Sequence, residues 1–431
     1  MKTVADTVAA TPGADGWLLT RTRTVELQRY LYADRPEAER TVDNTTLAVE
    51  VVRDRGGAQG RSGFTLHGAD ARPSRAQVAE AVFMASLQSN PPYALPGPAL
   101  LAAIPLADPA IGDGASGVIA ELQERLYAAV AAEPGVRLAS AEVFLSRHDT
   151  ELLTSAGVHY HKSETRLLLD LVVLARAGDR ETESHTAVST RRLADLDVEA
   201  VVAREARFAR DSLRAELPAT GRGPVVLSDG SFQPLFLPFG FATSGEARYQ
   251  KASPLQVGDA LLGTRTVRGD RLTLVSDPTL AWGERSTPFD RDGLALRPVK
   301  IVDDGTVAAL AASKQYADLL GIRPTGDWSN AVVTAGQTSD AALFDTGDGP
   351  LLHIVRFSWL SPDPVRGRFA TEIRLGYELG PDGTRPIKGG SLSGNVYDAF
   401  AFVHLGREVG LDGGYYGPKA LRFGELQVAG A

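Results

Sequence analysis

The sequence contains no cysteine in 431 residues, and this absence excludes several kinds of chemistry at once. Disulfide bonds, thiolate metal ligands and cysteine nucleophiles are all ruled out. Long runs of lysine and arginine are also missing, and the formal net charge is -8. This charge balance argues against nucleic acid or an anionic membrane as the main partner.

Long apolar runs are absent as well. Residues 1–16 hold no apolar core of the length that a signal peptide needs. No later run of about 18 apolar residues could span a membrane. We therefore expect a soluble, cytoplasmic protein. Arginine far outnumbers lysine and alanine is abundant, which is typical of a GC-rich bacterial genome.

The spacing of apolar residues predicts an α+β fold in two domains. With 43% hydrophobic residues, the chain can bury two cores. Alternation over residues 17–66 and 140–190 predicts strands, and the patterns near 75–87 and 195–217 predict helices. Pro218 and Gly221 end the second helix and mark a boundary. We predict a mixed α/β domain with a largely antiparallel sheet over 1–220 and a β-rich domain over 221–431.

Two features of the first domain lead to more detailed predictions. Ser74 is placed to cap the helix near 75–87. The apolar side of that helix is expected to consist of Val78, Val82, Phe83 and Leu87. The stretch from Leu167 to Ala175 is so continuously apolar that we expect both faces of its strand to be covered.

The stretch Gly157-Val-His-Tyr-His161 contains two histidines at alternate positions. In a strand, alternate side chains share a face, so His159 and His161 would project in the same direction. Such a pair could supply two zinc ligands, but a working site needs a third ligand and an open position for water. The alternative is a pair of ordinary solvated histidines. The sequence contains no His-x-x-His or His-Glu-x-x-His spacing.

Three aspartates in the second half also allow two interpretations. Asp277, Asp290 and Asp292 could serve acid-base catalysis or bind a hard cation. They also precede proline or lie beside glycine, which is typical of tight turns, and we favour that interpretation. Three tryptophans could be interface anchors or core residues: Trp282, Trp328 and Trp359.

Five short motifs follow one another between residues 224 and 395. In chain order they are Pro224-Val-Val-Leu227, Leu274-Val-Ser-Asp277-Pro278, Thr287-Pro-Phe289-Asp290-Arg-Asp-Gly293, Pro324-Thr325-Gly326 and Pro386-Ile-Lys-Gly-Gly-Ser-Leu-Ser393-Gly394-Asn395. Together they resemble the TldD/PmbA family of metallopeptidases and their partner subunits. The N-terminal half resembles the family in its order of strands and helices, and in Thr154-Ser-Ala-Gly157.

The resemblance also implies where zinc ligands would stand. Catalytic members of the family carry His-Glu-x-x-x-His on a helix soon after the Pro-Val-Val-Leu strand, and a metal-binding cysteine near the C-terminus. Here the segment 228–241 has no histidine or glutamate, and two prolines interrupt its helix. The segment 413–419 has no cysteine. The resemblance therefore implies the TldE/PmbA-like branch, with no catalytic or metal-binding residue at these positions.

This branch implies a heterodimer with a TldD-like catalytic subunit. Zinc is expected in that partner and no cofactor in this chain. The substrate is expected to be an unfolded or leader peptide, and maturation of a natural-product peptide is one expected setting. Two alternatives stay open: a homodimeric peptide-binding scaffold, or an independent metallohydrolase that uses His159, His161 and a distant third ligand.

Overall fold

The computed structural model describes residues 1–112, 115–347, 349–381 and 383–430. In the first half, the elements are α1 (Lys2–Ala9), β1 (Gly16–Tyr32), β2 (Arg35–Arg55), β3 (Ala58–His67), α2 (Arg75–Ser86), α3 (Ser116–Ala131), β4 (Val136–Thr154), β5 (His159–Ala177), β6 (Arg180–Thr190) and α4 (Val198–Leu213).

In the second half, the elements are β7 (Gly221–Ser228), α5 (Leu237–Ala242), α6 (Gly245–Tyr249), β8 (Leu274–Asp277), β9 (Val299–Asp303), β10 (Thr306–Val307), α7 (Lys314–Leu320), β11 (Asn330–Val333), α8 (Asp340–Leu343), β12 (Leu351–Phe357), β13 (Arg368–Gly380), β14 (Gly383–Ile387), β15 (Ser391–Asn395), α9 (Val396–Phe400), β16 (Val403–Leu405), β17 (Val409–Asp412), β18 (Tyr415–Pro418) and β19 (Ala420–Ala429).

The first half is built on one antiparallel sheet with strand order β3-β2-β1-β4-β5-β6. Its helices pack against one face. Leu19 belongs to the core that includes residues of α1 and α2, whereas Leu145 and Leu167 belong to the core that includes residues of α3 and α4. The opposite face contacts the second half, where the rings of Tyr160 and Phe289 lie 5.3 Å apart.

The predicted cap of α2 is confirmed, but only half of its predicted apolar side faces the core. Ser74 accepts a hydrogen bond from the backbone of Gln77, and the side chain of Gln77 reaches back to Ser74. Val78 is buried and Val82 packs against the core, as predicted. Phe83 and Leu87 are 60% and 64% exposed, respectively, and alanines face the core in their place. A side chain at Gly60 would collide with the backbone of α2, so the helix lies too close to the sheet for large residues on that side.

The prediction that both faces of the strand from Leu167 to Ala175 are covered is also wrong. Its odd-numbered positions are buried, whereas the even-numbered positions are only partly buried. The physical reason is the layering of the sheet. Helices cover one face, whereas the residues on the other face are only partly covered.

Helix α4 lies between the two halves. Asp197 caps it by accepting a hydrogen bond from Ala200 N at 2.9 Å. On one side, Val202 packs in the core of the first half that includes residues of α3. On the other side, Phe208 packs with Val355 and Leu375 of the second half. The proposed division at residue 220 stays a prediction.

The second half is rich in strands, as predicted. One seven-stranded sheet has the order β12-β7-β19-β15-β13-β14, with β16 paired to β19. Because β12 also pairs with β13, the strands from β12 to β13 in this order close into a barrel. A six-stranded sheet, β10-β9-β8-β11-β18-β17, packs beside it around a shared apolar core. The α+β fold class is therefore confirmed. Among the helices of the described residues, none is both long and apolar enough to cross a membrane.

Candidate functional site

A groove runs between the N-terminal sheet and the second half of the chain. Its larger cavity has a volume of about 1000 Å³, and a neighbouring cavity has about 650 Å³. The two cavities share Asp229, Gln233, Asp412 and Tyr415, so they form one continuous space. Strand β6, at the edge of the first sheet, forms part of one wall.

A second wall of the groove, apart from β6, is the segment that follows β7. Asp229 and Gly230 adopt left-handed backbone angles, with φ of 52° and 73°, and turn the chain sharply after the strand. A 3₁₀ turn, Gln233–Phe236, then leads directly into α5. Pro234 and Pro238 lie in the first turns of these two helical pieces, where a missing N–H is tolerated. The prolines therefore divide the helix, as the sequence predicted.

The opposite wall is the segment around β17 and β18. Gln233 Nε2 donates a hydrogen bond to Asp412 Oδ2 at 2.6 Å across the groove. The ring of Tyr415 lies 5.5 Å from Phe232 and 5.7 Å from Phe236. Burial raises the pKa of Asp412. Two segments far apart in sequence thus meet at one place, and they are the segments where the resemblance locates zinc ligands.

The groove does not fit a catalytic zinc ion. Zinc prefers imidazole and thiolate, with carboxylate as a third ligand in some sites. Among the described residues that line either cavity, none is a histidine. The larger cavity instead has carboxylates and a single guanidinium among its lining residues: Asp229, Glu246, Glu284, Asp327, Asp412 and Arg285. This part of the groove is acidic and can bind ligands by hydrogen bonds and charge.

A serine and a histidine meet at one end of the groove. Ser228 Oγ lies 2.8 Å from His353 Nε2, because β7 and β12 pair in parallel. Burial lowers the pKa of His353 to about 4, so the ring is neutral at pH 7. Such a ring is a weak general base. We assign this pair a structural role. Sequence reasoning missed it, since 125 positions separate the two residues.

Several family-motif positions build turns away from the groove. Asp277 Oδ1 accepts a hydrogen bond from Thr279 N at 2.7 Å, just before Pro278. Asp290 Oδ1 accepts from Asp292 N at 3.0 Å and Leu294 N at 2.9 Å. The ring of Phe289 packs on Tyr160. The carbonyl oxygen of Asp290 also faces Gly293 N in this turn. These contacts are architectural.

The remaining motif positions hold segments close together. Thr325 Oγ1 donates to Leu310 O at 2.7 Å, and a side chain at Gly326 would overlap Leu296. A side chain at Gly394 would press on Phe369. Ser393 pairs with Ala370 in the sheet, and Asn395 caps α9 by accepting from Tyr397 N at 2.9 Å.

Asp292 links the two halves of the chain. It is 4% exposed, and its Oδ2 accepts a hydrogen bond from Tyr93 OH at 3.0 Å. Arg61 Nη1 lies 3.7 Å from Asp292 Oδ1. Arg291 of the second half lies 3.8 Å from the same oxygen, so partners from both halves meet at this carboxylate.

The histidine pair lies outside the groove. His159 and His161 project from the start of β5 on the helix-bearing face of the first sheet, beside Glu151 of β4. Sequence reasoning could not name Glu151, because only the pairing of the strands brings it there. Of the tryptophans, Trp328 lines the groove, whereas Trp359 is 77% exposed.

Comparison with known proteins agrees with this architecture. Residues 220–430 match the family model described as the PmbA/TldA metallopeptidase C-terminal domain. A metalloprotease of Methanothermobacter thermautotrophicus is 25% identical over 273 residues, covering 58% of each chain. The "Zinc metalloprotease TldD homolog" of Saccharolobus solfataricus is 22% identical over 283 residues, which are 59% of this chain and 62% of that protein. These matches thus span less than two thirds of the relatives' lengths.

Solved structures share the fold over almost the whole chain. TldE from Thermococcus kodakarensis has a TM-score of 0.81 at 17% identity, covering 100% of this chain and 99% of that one. A protein from Thermotoga maritima, described as a putative modulator of a DNA gyrase, has a TM-score of 0.85 at 16% identity, covering 99% and 100%. The fold and the matched C-terminal half place the chain in a family that is named for its metallopeptidases. The protein belongs to the TldD/PmbA family.

Proposed function

We propose that this chain is the non-catalytic, TldE/PmbA-like subunit of a two-chain zinc metallopeptidase. A TldD-like partner would carry the zinc ion and the water that attacks the peptide bond. This chain would shape the chamber and limit access to it. The substrate would be an unfolded or leader peptide, and maturation of a natural-product peptide in the cytoplasm is one setting for such cleavage.

One observation carries this proposal. The segments 228–241 and 413–419 meet in the groove, where the ring of Tyr415 packs on Phe232 and Phe236. Gln233 also bonds to Asp412, the residue just before the second segment. This meeting place supports the proposal, because the resemblance locates the zinc site of catalytic members there and the residues that line it here lack the imidazoles that a catalytic zinc needs. A chain of this kind can support a reaction that a partner performs.

The walls of the groove favour an extended peptide. Strand β6 is the edge strand of the first sheet, and β17 is the edge strand of the sheet that begins with β10. Residues of both strands line the smaller cavity. Edge strands offer unpaired backbone groups to which an extended peptide can add as a further strand. The acidic lining of the larger cavity favours peptides that carry positive charge.

The test is peptide hydrolysis by the chain with and without its partner. The untagged chain is purified from its own host, and native mass spectrometry reads the partner mass and the metal content. We expect a one-to-one complex with a chain of similar size. This complex should cleave unfolded peptides, and the cleavage should stop when the partner's zinc is removed. The chain alone should not cleave them.

Three other outcomes would reject the proposal. Zinc-dependent cleavage by the chain alone would favour the independent metallohydrolase. A homodimer that binds peptides without cleaving them would favour the scaffold. A complex whose activity survives mutation of the partner's His-Glu-x-x-x-His glutamate to glutamine would place the chemistry elsewhere.

A further inference from the structure

Three potential metal ligands lie close together on the helix-bearing face of the first sheet. Glu151 stands on β4 directly opposite His161 on β5, and His159 is one pleat away. His159 Nε2 lies 3.1 Å from Glu151 Oε1, and His161 Nε2 lies 4.0 Å from the same oxygen. The two Nε2 atoms are 3.0 Å apart. The third ligand that the histidine pair needs is therefore present.

Hydrogen bonds alone satisfy this triangle only in part. A neutral imidazole nitrogen either carries a proton or offers a lone pair. If His159 Nε2 carries a proton, it can donate to Glu151 or to His161 but cannot accept from either. If it has none, it cannot bond to the Glu151 carboxylate, which only accepts. A cation among the three atoms would satisfy all of them at once.

The separations of the three ligand atoms are compatible with zinc. Zinc binds nitrogen and carboxylate oxygen at about 2 Å, so ligand atoms of one ion lie roughly 3 to 4 Å apart, and the three separations here fall in that range. Two histidines and one glutamate form a known zinc ligand set. The histidine side chains are 57% and 63% exposed, so a fourth position is open to solvent.

We propose that Glu151, His159 and His161 bind one Zn²⁺ ion. The ion would join β4 to β5 beside the turn at residues 155–158. Val158 at the end of that turn packs with Phe289 of the second half. The metal would thus stiffen the hairpin through which the first sheet contacts the second half. This site is independent of the groove and of any partner.

Zinc binding to the isolated chain tests the proposal directly. The full-length chain is prepared without a polyhistidine tag, stripped with chelator and titrated with Zn²⁺ by calorimetry. Co²⁺ absorption then reports the coordination geometry. We expect one ion per chain, bound at least about tenfold more weakly by His159→Ala, His161→Ala and Glu151→Gln, since even the loss of an outer hydrogen-bond partner costs that much. Zn²⁺ should also raise the melting temperature of the wild-type chain but not of these variants.

His185→Ala is the matched control. His185 has a side chain 57% exposed on the same sheet, and its Nε2 lies 3.0 Å from Asp170 Oδ1. This variant should bind zinc as the wild type does. Unchanged binding in His159→Ala, or an equal loss in His185→Ala, would overturn the proposal. Because no partner or peptide is present, failure here leaves the proposed subunit function untouched.

Discussion

At the scale of single residues, Asp290 makes stability depend on pH. Burial raises the pKa of this carboxyl to about 6, despite the backbone N–H groups that bond to it. The folded chain therefore keeps a proton that the unfolded chain, with a pKa near 3.8, releases. Stability then falls as the pH rises from about 4 to about 6. Asp290→Asn keeps the accepting oxygen and should raise the free energy of unfolding at pH 7 by about 1 kcal/mol.

Urea unfolding between pH 4 and pH 7 checks this prediction. The variant should show a smaller loss of stability across that range than the wild type. An equal slope in both proteins would contradict it.

His353 acts in the opposite direction. Burial lowers its pKa to about 4, from 6.5 in the unfolded chain. As the pH falls from 6.5 towards 4, the unfolded chain takes up the proton first, so stability falls with acid. His353→Gln does not titrate and should lose roughly 1 to 2 kcal/mol less over this range. Ser228→Ala keeps the buried histidine, so its stability should depend on acid almost as much as that of the wild type. If His353→Gln lost as much stability in acid as the wild type does, the prediction would be refuted.

Contacts close in sequence could be predicted, and contacts across strands could not. The caps at Ser74 and Asn395 involve backbone groups two or three positions away, so the local sequence indicates them. The meetings of Ser228 with His353 and of Glu151 with His161 depend on strand pairing. A single sequence carries no record of that pairing.

At the scale of elements, Asn395 holds the start of α9. Its Oδ1 accepts from Tyr397 N at 2.9 Å, and its Nδ2 donates to Arg366 O at 2.7 Å. Asn395→Ser should keep the cap and lose the second bond, at a cost of about 1 kcal/mol. Asn395→Ala should lose both bonds, at about 2 kcal/mol. Chemical denaturation ranks the three proteins, and equal stability of the serine and alanine variants would show that the cap contributes nothing.

The type of element follows from local pattern, whereas its buried side depends on what lies above it. From residue 368 to residue 375, the alternation of polar and apolar residues matches the burial of β13. The pattern in α2 favoured Phe83 and Leu87, yet close approach to Gly60 selects Ala81 and Ala85. Apolar residues from 167 to 175 predicted a doubly covered strand, but helices cover just one face. Layering of this kind is a long-range property.

At the scale of the whole molecule, motif order indicated the family, but the groove required the three-dimensional fold. Its walls come from β6 and from segments near residues 230, 285, 328 and 412. The residues that hold these parts together are therefore as important to the site as those that line it. Arg191, just after β6, is the main example. It is 7% exposed and reaches from the first half into the second.

The side chain of Arg191 satisfies backbone carbonyls of the second half. Nε donates to Gly283 O at 2.9 Å, and Nη2 donates to Glu284 O at 2.7 Å and Ser286 O at 3.2 Å. Nη1 pairs with Glu164 of the first half at 3.2 Å. Arg191→Met would leave these groups unpaired, and we expect the free energy of unfolding to fall by about 3 kcal/mol or more. Because the lost contacts join the halves, limited proteolysis between residues 214 and 221 should accelerate as well.

Arg166→Met provides the control for that prediction. Arg166 also joins the halves, with Nη2 3.0 Å from Glu284 Oε1, but its side chain is 53% exposed. An exposed ion pair contributes little, so this variant should lose less than about 1 kcal/mol and keep the wild-type rate of proteolysis. Equal effects of the two substitutions would mean that charge between the halves, rather than the buried carbonyl contacts of Arg191, holds the groove together. A larger effect at Arg191 alone would show that the buried contacts fix the end of β6 against residues 283–286 of the second half.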